Sequence, residues 1–332
     1  MKKRWITLPL FLLIVLALLF YYQRFNSAVP RFHDLPEVVA DSEKNSTRWH
    51  RKSPFKRLRG VALVAHGLNL KPTKMGPLID LLNRAGIDAL NVSLHGHGDN
   101  YLYRGMGDRK EARLDSFRTV TYRLWSTKMY EAYRKVRMLA QQKKVPVIFV
   151  GYSLGGLLGC ELQVSRPDVH FDRMVLFAPA LKITQRPYLL KALMPFPDLV
   201  LDSISPEGYR ANAGTPMAGY KALFEALNRF EKNLSAKLNV PTVVFLDRED
   251  EFISYDDLQE MIIGEHLDRW TIINISKSPP ESALYAHHLL IDEAVVGKAM
   301  WSKIQAALLN HLNSAERQTP DSRGKQIRLK AP

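Results

Sequence analysis

The sequence predicts an α/β fold in which a mostly parallel central sheet is covered by helices on both faces. Short apolar segments, rich in β-branched residues, alternate along the chain with longer segments whose apolar residues recur at helical spacing. Several short segments, such as VPVIFVG at residues 145–151, are apolar throughout, as strands buried on both faces require. This alternation is typical of parallel strands joined by crossover helices.

The predicted elements follow one another in chain order until residues 181–238 interrupt the alternation. That region is rich in proline at first and helical afterwards, with no strand pattern, and it predicts a cap inserted over the carboxyl edge of the sheet. The predicted strands are residues 60–67, 87–98, 145–151, 171–180, 240–247 and 269–275, and the predicted helices are residues 75–87, 114–144, 153–165 and 294–312.

The N-terminal residues carry a different pattern. Three basic residues precede an uncharged apolar segment, residues 5–22, which is long enough to span the hydrocarbon core of a bilayer. A cleaved signal peptide is the competing interpretation, but its apolar region is usually shorter. The sequence therefore predicts a transmembrane signal anchor within residues 1–24. Its basic end stays in the cytoplasm, and the rest of the chain lies on the far side of the membrane, in a periplasmic or other extracytoplasmic space.

The remaining chain divides into three predicted parts. Residues 25–55 are predicted to be a linker, residues 56–315 the folded domain, and residues 316–332 a basic flexible tail. A run of basic residues without any acidic residue lies at positions 44–59, where it could contact anionic lipid head groups or remain a solvated linker. Its members are Lys44, Arg48, Arg51, Lys52, Lys56, Arg57 and Arg59.

Composition excludes several classes of protein. The single cysteine, Cys160, excludes an intrachain disulfide, and no cluster of cysteine and histidine has zinc-ligand spacing, so neither a metal nor another cofactor is expected. The formal net charge is +14. No basic helix with interleaved aromatic residues accompanies that charge, and no nucleic-acid partner is expected.

Ser153 is the predicted nucleophile. Residues 151–155, GYSLG, match the pattern G-x-S-x-G, and they follow an apolar strand and precede a helix. A sharp turn at this place would lift the serine hydroxyl above the sheet, and Gly151 and Gly155 would leave room for the turn. The motif therefore predicts an exposed, activated serine.

In this strand–turn–helix context the chain resembles the α/β-hydrolase family over roughly residues 56–312. Within the family it is most similar to the group of carboxylesterases, lysophospholipases and monoacylglycerol lipases, which includes serine aminopeptidase-like proteins. The resemblance implies that the backbone N–H groups of Leu68 and Leu154 form an oxyanion hole. It also implies that His66 and His97 shape the nearby loops rather than react.

The resemblance places an acidic residue after the strand at residues 240–247. The family pattern there is G-x-x-D, then two residues of any type, then a branched apolar residue. Asp250 fits this pattern, with Ile253 as the apolar residue and Asp247 in the position of the glycine. Asp250 is therefore the predicted acid, and Asp247 is the alternative.

The resemblance places the catalytic histidine last, where the segment SALYAHHLLIDEAVVG contains the neighbours His287 and His288. Family members commonly carry an acidic residue five positions after this histidine. His287 has Asp292 at that spacing and His288 has Glu293. His287 is the predicted base, and His288 is the alternative.

A serine with an acid and a histidine in this order predicts a serine hydrolase that uses an acyl-enzyme mechanism. The apolar residues of the predicted cap and the predicted anchor favour an ester with an apolar acyl group, such as a lysophospholipid or a monoacylglycerol, as the small-molecule substrate. Two alternatives remain open. One is a peptidase or amidase of the same fold, and the other is a catalytically silent, membrane-tethered binding protein.

Overall fold

A computed structural model of the chain describes residues 47–103, 107–276 and 287–313. Within these residues no helix is long and apolar enough to cross a membrane. The predicted anchor at residues 5–22 and the predicted tail at residues 316–332 lie outside the described residues, so both stay predictions.

Nine strands occur in the described part of the chain. Seven form one sheet and two form a separate antiparallel pair. In chain order the strands are β1 (Thr47–His50), β2 (Gly60–Ala65), β3 (Ile87–Val92), β4 (Val147–Tyr152), β5 (Arg173–Phe177), β6 (Val200–Asp202), β7 (Gly214–Pro216), β8 (Thr242–Leu246) and β9 (Trp270–Asn274).

The large sheet has the strand order β1-β3-β2-β4-β5-β8-β9. β1 runs antiparallel to β3, and the other neighbouring strands are parallel. Every residue of β2, β3, β4, β5 and β8 is buried, because these strands are covered on both faces. The predicted α/β class with a mostly parallel sheet is confirmed.

The helices of the described residues lie mainly between the strands, as crossover connections require. Three short 3-10 helices accompany them at Pro72–Met75, Leu189–Leu193 and Ala236–Leu238. The α-helices are α1 (Gly76–Arg84), α2 (Arg109–Arg118), α3 (Tyr122–Lys143), α4 (Leu154–Ser165), α5 (Gln185–Tyr188), α6 (Met217–Asn233), α7 (Tyr255–Gly264), α8 (Glu293–Val296) and α9 (Lys298–Asn313).

The single long helix predicted at residues 114–144 is two helices, α2 and α3. Between them lies the segment Thr119-Val120-Thr121, and Thr121 is the N-cap of α3, with its side-chain oxygen 3.2 Å from the backbone nitrogen of Leu124. The side chain of a threonine satisfies one of the free N–H groups at a helix start, which favours a new helix at this point.

The predicted linker extends too far along the chain, because residues 47–50 form strand β1 at the edge of the sheet. Two members of the basic run are also paired with the domain. Arg48 lies 3.0 Å from Asp99, and Arg51 lies 2.9 Å from Asp88. The part of the run that the structure describes is therefore attached to the sheet rather than a free linker.

The predicted cap also differs from the structure. Residues 200–202 and 214–216 pair as β6 and β7, although no strand was predicted there. Helix α6 packs against α3 and α4 through buried residues such as Phe230, so it belongs to the helical layer. The insertion is therefore shorter than the predicted residues 181–238 and comprises only residues 181–216. It contacts the loop after β2 and the loop after β8 through the bridges Leu70–Arg210 and Ile183–Ile253.

Candidate active site

Ser153 occupies the sharp turn between β4 and α4. Its backbone has φ 51° and ψ −117°, a left-handed conformation that costs a residue with a side chain on the order of 1–3 kcal/mol. Two hydrogen bonds hold this strained residue. The Ser153 N–H donates to the carbonyl of Phe177 at 2.9 Å, and the Ser153 carbonyl accepts from the N–H of Ala180 at 3.1 Å. The fold therefore fixes the serine in the position that the motif predicts.

Gly67 and Gly155 allow the backbones around Ser153 to approach closely. A Cβ atom on Gly155 would lie 2.3 Å from the carbonyl oxygen of Ala65. A Cβ atom on Gly67 would lie 2.8 Å from the ring of Tyr152 and 3.2 Å from the Cβ of Ser153. The loop after β2 consequently passes directly beside the serine.

Leu68 follows Gly67 in this loop, and Leu154 is the first residue of α4. The first N–H groups of a helix have no acceptor within the helix. They can therefore donate hydrogen bonds to a negatively charged atom placed at the helix N-terminus. The structure thus brings the two residues of the predicted oxyanion hole to the neighbourhood of Ser153.

His288 links Ser153 to an acid. Its Nε2 lies 3.1 Å from the Ser153 Oγ, and its Nδ1 lies 2.9 Å from the Oδ2 of Asp250. The Asp250 side chain is fully buried, and its Oδ1 accepts hydrogen bonds from the N–H groups of Phe252 and Ile253 at 2.8 and 2.9 Å. These donors stabilise the carboxylate and aim it at the histidine.

The ring of His288 is also held from its sides. The centre of the Tyr152 ring lies 5.3 Å away, and the Phe252 ring meets the imidazole edge-on at 5.1 Å. Burial, reinforced by the charges of Asp250 and Glu251, raises the pKa of the Tyr152 hydroxyl well above its ordinary value, so this hydroxyl stays protonated. It donates to the carbonyl of His288 at 3.4 Å.

The structure corrects the predicted histidine. His287 does not face Ser153: its Nδ1 lies 2.9 Å from Asp247 and its Nε2 lies 3.4 Å from Glu249. The geometry brings together Ser153, Asp250 and His288, whereas the predicted His287 and the alternative acid Asp247 form a second pair beside them.

Asn69 is a residue of the site that the sequence did not identify. It has φ 52°, which asparagine tolerates better than most residues, and it ties the loop after β2 to the insertion. Its side-chain amide donates to the carbonyl of Asn212 at 3.0 Å and accepts from the N–H of Asn212 at 2.8 Å. An asparagine two residues after the His-Gly pair, in His66-Gly67-Leu68-Asn69, is the signal that could have pointed to it.

His66 and His97 brace the same loop from within the core. The Nε2 of His66 accepts from the N–H of Leu94 at 3.1 Å, and the Nε2 of His97 accepts from the N–H of Asn69 at 3.0 Å. Both imidazoles are fully buried, and burial lowers the pKa of His66 to about 4 and the pKa of His97 well below its ordinary value. Both rings are therefore neutral acceptors.

These buried histidines predict a loss of stability in acid. The unfolded chain takes up a proton at His66 as the pH falls through 6.5, but the folded chain does so only near pH 4. The stabilisation is therefore complete above pH 6.5 and is lost toward pH 4, by up to about 1.4 kcal/mol per pH unit for this residue. In urea unfolding between pH 4 and 7, the free energy of unfolding should depend less steeply on pH for His66→Gln than for the wild type.

The exposed His170, whose side chain is 55% accessible, supplies the control. The variant His170→Gln makes the same substitution at this accessible side chain, and its slope is the reference for His66→Gln. Equal slopes for His66→Gln and the wild type would contradict the prediction.

Two clefts in the described residues lie away from Ser153. One, of about 310 Å³, lies between β1, β3 and the loop after β2, and the other, of about 580 Å³, lies between α3, α4 and α6. Neither is lined by Ser153, Asp250 or His288. No group of three histidine, cysteine, aspartate or glutamate residues in the described ranges could hold a metal ion.

Comparison with known proteins gives a match to a family model over part of the chain and a fold shared with solved structures. Residues 56–217 match the family described as "Serine aminopeptidase, S33". A comparison with curated proteins found no significant match.

Three similar solved structures are lipolytic enzymes. The structure reported for the metagenome-derived enzymes LipS and LipT is 19% identical, has a TM-score of 0.61, and matches over 81% of this chain and 97% of the other. A soluble variant of monoglyceride lipase from Saccharomyces cerevisiae, in complex with a substrate analog, is 10% identical with a TM-score of 0.64, over 81% and 90% of the two chains. Monoacylglycerol lipase from Paleococcus ferrophilus is 18% identical with a TM-score of 0.56, over 80% and 98%. At these identities the similarity establishes the fold.

Proposed function

We propose that this chain, an α/β-hydrolase of the serine aminopeptidase-like group, is a serine hydrolase that cleaves carboxylic esters with apolar acyl groups. The observation that carries the proposal is the unbroken series of contacts from Ser153 through His288 to Asp250, at 3.1 and 2.9 Å. A serine hydroxyl is a poor nucleophile at neutral pH and needs such a base.

In the first half of the proposed reaction, the Ser153 Oγ attacks the ester carbonyl carbon while its proton passes to the Nε2 of His288. The carbonyl oxygen becomes an oxyanion, which accepts hydrogen bonds from the N–H groups of Leu68 and Leu154. Asp250 accepts the Nδ1–H of His288 and stabilises the imidazolium. The imidazolium then gives its proton to the leaving alcohol, and an acyl-enzyme remains.

In the second half, a water molecule replaces the alcohol. His288 takes a proton from this water, the resulting hydroxide attacks the acyl carbon, and a second oxyanion forms at the same N–H groups. Its collapse releases the carboxylic acid, and the proton on His288 returns to Ser153. Each step uses the same three side chains, so removing any one of them should affect both halves.

Exposed apolar side chains in the insertion support an apolar acyl group. Of the seven large hydrophobic residues that are exposed in the described chain, three lie there: Leu189 at 77%, Leu199 at 41% and Ile204 at 44%. Exposed apolar residues grouped in one region mark a surface for an apolar ligand or a lipid. This supports a lysophospholipid or a monoacylglycerol as the substrate.

Cleavage of an amide is the second candidate, because the matching family is described as a serine aminopeptidase. The same acyl-enzyme chemistry serves both bonds, and the difference lies in what holds the substrate. An aminopeptidase needs a carboxylate for the substrate's α-amine, and Asp198, Asp202 and Glu207 of the insertion are the candidates.

Covalent labelling tests the proposal. The full-length protein is treated with a fluorophosphonate probe, which reacts with activated serines, alongside the variant Ser153→Ala. We expect one label per wild-type molecule and none on the variant, because the probe needs both the Ser153 Oγ and its base. The labelled enzyme should also have lost its activity toward p-nitrophenyl esters.

The substrate panel then separates the candidates. Esters of increasing acyl length, a lysophospholipid and an aminoacyl amide are compared at equal enzyme concentration, and a higher kcat/KM for the longer esters supports the ester proposal. Preference for the amide would favour the peptidase. A folded wild type that takes up no label would refute the hydrolase and favour the silent binding protein.

A further inference from the structure

Two histidine–carboxylate pairs lie side by side at the candidate site. His288 pairs with Asp250, as described above, and its neighbour His287 pairs with Asp247 through Nδ1 and Oδ2 at 2.9 Å. The Asp247 side chain is only 5% exposed and the His287 side chain only 17%. This pair is buried and adjoins the proposed catalytic residues. It therefore differs from an ion pair on the exposed surface, which contributes little to the stability of the fold.

His287 contacts carboxylates with both of its ring nitrogens. The Nε2 lies 3.4 Å from Glu249, on the side opposite the contact with Asp247. This second contact is longer than the hydrogen bond to Asp247, and Glu249 is 78% exposed, so solvent screens it. The hydrogen bond from Nδ1 to Asp247 is therefore the contact that fixes the ring.

The neighbouring Glu251 holds the backbone of both histidines. Its Oε1 lies 3.4 Å from the backbone nitrogen of His287, and its Oε2 lies 3.1 Å from that of His288. The backbone of Glu251 is itself fixed, because its carbonyl accepts from the hydroxyl of Thr184 at 3.1 Å. One carboxylate thus orients two successive N–H groups at the start of the segment that carries His288.

We propose that His287 and Glu251 are positioning residues that fasten the histidine segment to residues 247–251 and thereby set the distance from His288 to Ser153. The inference rests on the proposed function, since it assigns His288 as the base. His287 does not take the proton itself, because its Nε2 faces Glu249 rather than the serine. Proton transfer is sensitive to such positioning, because a misplacement of 1 Å can cost about 100-fold in rate.

Steady-state kinetics of the full-length protein with a p-nitrophenyl ester tests the positioning role. We expect His287→Gln to lower kcat about tenfold with KM changed less than about twofold, because the substrate pocket is untouched while the base is displaced. His287→Arg should recover most of this loss, since a guanidinium can donate to both Asp247 and Glu249. Glu251→Gln should lower kcat several-fold, because a carboxamide can accept with only one of its two ends.

A double substitution tests whether Asp247 is the partner. If His287 acts through Asp247, the variant that combines Asp247→Asn with His287→Gln should lose little more activity than His287→Gln alone. Losses that multiply would show that the two residues act independently and would overturn the pairing.

Nitrogen NMR of the histidine rings gives a readout that does not depend on hydrolysis. Protein labelled with ¹⁵N-histidine should show an Nδ1–H signal for His287, because this nitrogen faces the Asp247 carboxylate at 2.9 Å. Asp247→Asn should remove that signal or move it upfield. A wild type without an Nδ1–H signal for His287 would overturn the pairing.

The other contradicting outcomes are distinct. An unchanged kcat in His287→Gln would refute positioning, and a loss as large as that of His288→Gln would make His287 the base. No recovery in His287→Arg would show that a donor to Asp247 does not hold the segment, and would contradict the positioning role. Failure of the proposed function itself would appear as a wild type that takes up no fluorophosphonate.

Discussion

Replacing His288 by glutamine is expected to lower kcat/KM by about 10,000-fold. Glutamine has a similar volume and can still hydrogen-bond to Ser153, but it cannot take up the proton of the serine. The reaction would then lack its base in both halves, and the oxyanion hole alone would remain. The measurement is the initial rate with a p-nitrophenyl ester at low substrate concentration, with the fluorophosphonate labelling rate as a second readout.

His287→Gln is the matched control, since it makes the same chemical change one residue earlier. Its smaller loss, about tenfold, would show that the large effect belongs to the contact between His288 and Ser153. The far-ultraviolet circular dichroism of both variants should equal that of the wild type. If His288→Gln kept more than about 1% of wild-type kcat/KM, another group would have to act as the base.

Replacing Gly155 by alanine is expected to destabilise the fold by about 3 kcal/mol or more. The added Cβ would lie 2.3 Å from the carbonyl oxygen of Ala65 and 2.6 Å from that of His66. Both are backbone atoms at the end of β2, so no side-chain rotation can relieve the contact. The loop that begins at these atoms leads to Leu68, and we therefore expect activity to fall with stability. Urea unfolding measures the change.

Gly76→Ala provides a control in which the expected change in the free energy of unfolding has the opposite sign. Gly76 has φ −49° and ψ −52° at the start of α1, and a Cβ there meets no atom within 4 Å. Alanine at a helical position is favoured over glycine by about 0.5–1 kcal/mol, so this variant should be slightly more stable. Equal stability of the two variants would contradict the steric explanation for Gly155.

The central sheet and the nucleophile could be predicted because each depends on local pattern. Strands that are buried on both faces are mostly apolar, and β4 is a clear example. Ser153 could be predicted as the nucleophile because Gly151 and Gly155 lie on either side of it, and a sharp strand-to-helix turn requires glycines at these positions. Asp250 could be predicted because it lies three positions before Ile253 in the sequence. In the structure its Oδ1 accepts a hydrogen bond from the Ile253 N–H.

The histidine could not be predicted from spacing, because Asp292 has another role. It is the N-cap of α8, where its side chain accepts from the N–H of Val295, and it also accepts from the hydroxyl of Tyr209 at 2.9 Å. Its place in the chain is therefore set by the helix and not by the distance to a catalytic residue. Which of two adjacent imidazoles faces Ser153 depends on the turn of the backbone, which Glu251 helps to fix from the loop after β8.

Strand β1 and the small β6–β7 pair were missed for a related reason. β1 has the sequence TRWH, in which an arginine and a histidine alternate with threonine and tryptophan, and all four residues are at least partly exposed. An edge strand needs no continuous apolar run, so it gives little signal. Its pairing with β3 is a property of the folded sheet.

The contact between Ser153 and His288 joins residues that lie 135 positions apart in the chain. The backbone of Ser153 is bonded to Phe177 at the end of β5, and Asp250 follows β8, which pairs with β5. Helices can form early during refolding, whereas pairing of distant strands is slow. If the proposed function holds, we therefore expect catalytic competence to be acquired late, once β4, β5 and β8 are assembled. Recovery of esterase activity after dilution from denaturant would thus follow completion of the sheet and lag behind the return of helical circular dichroism.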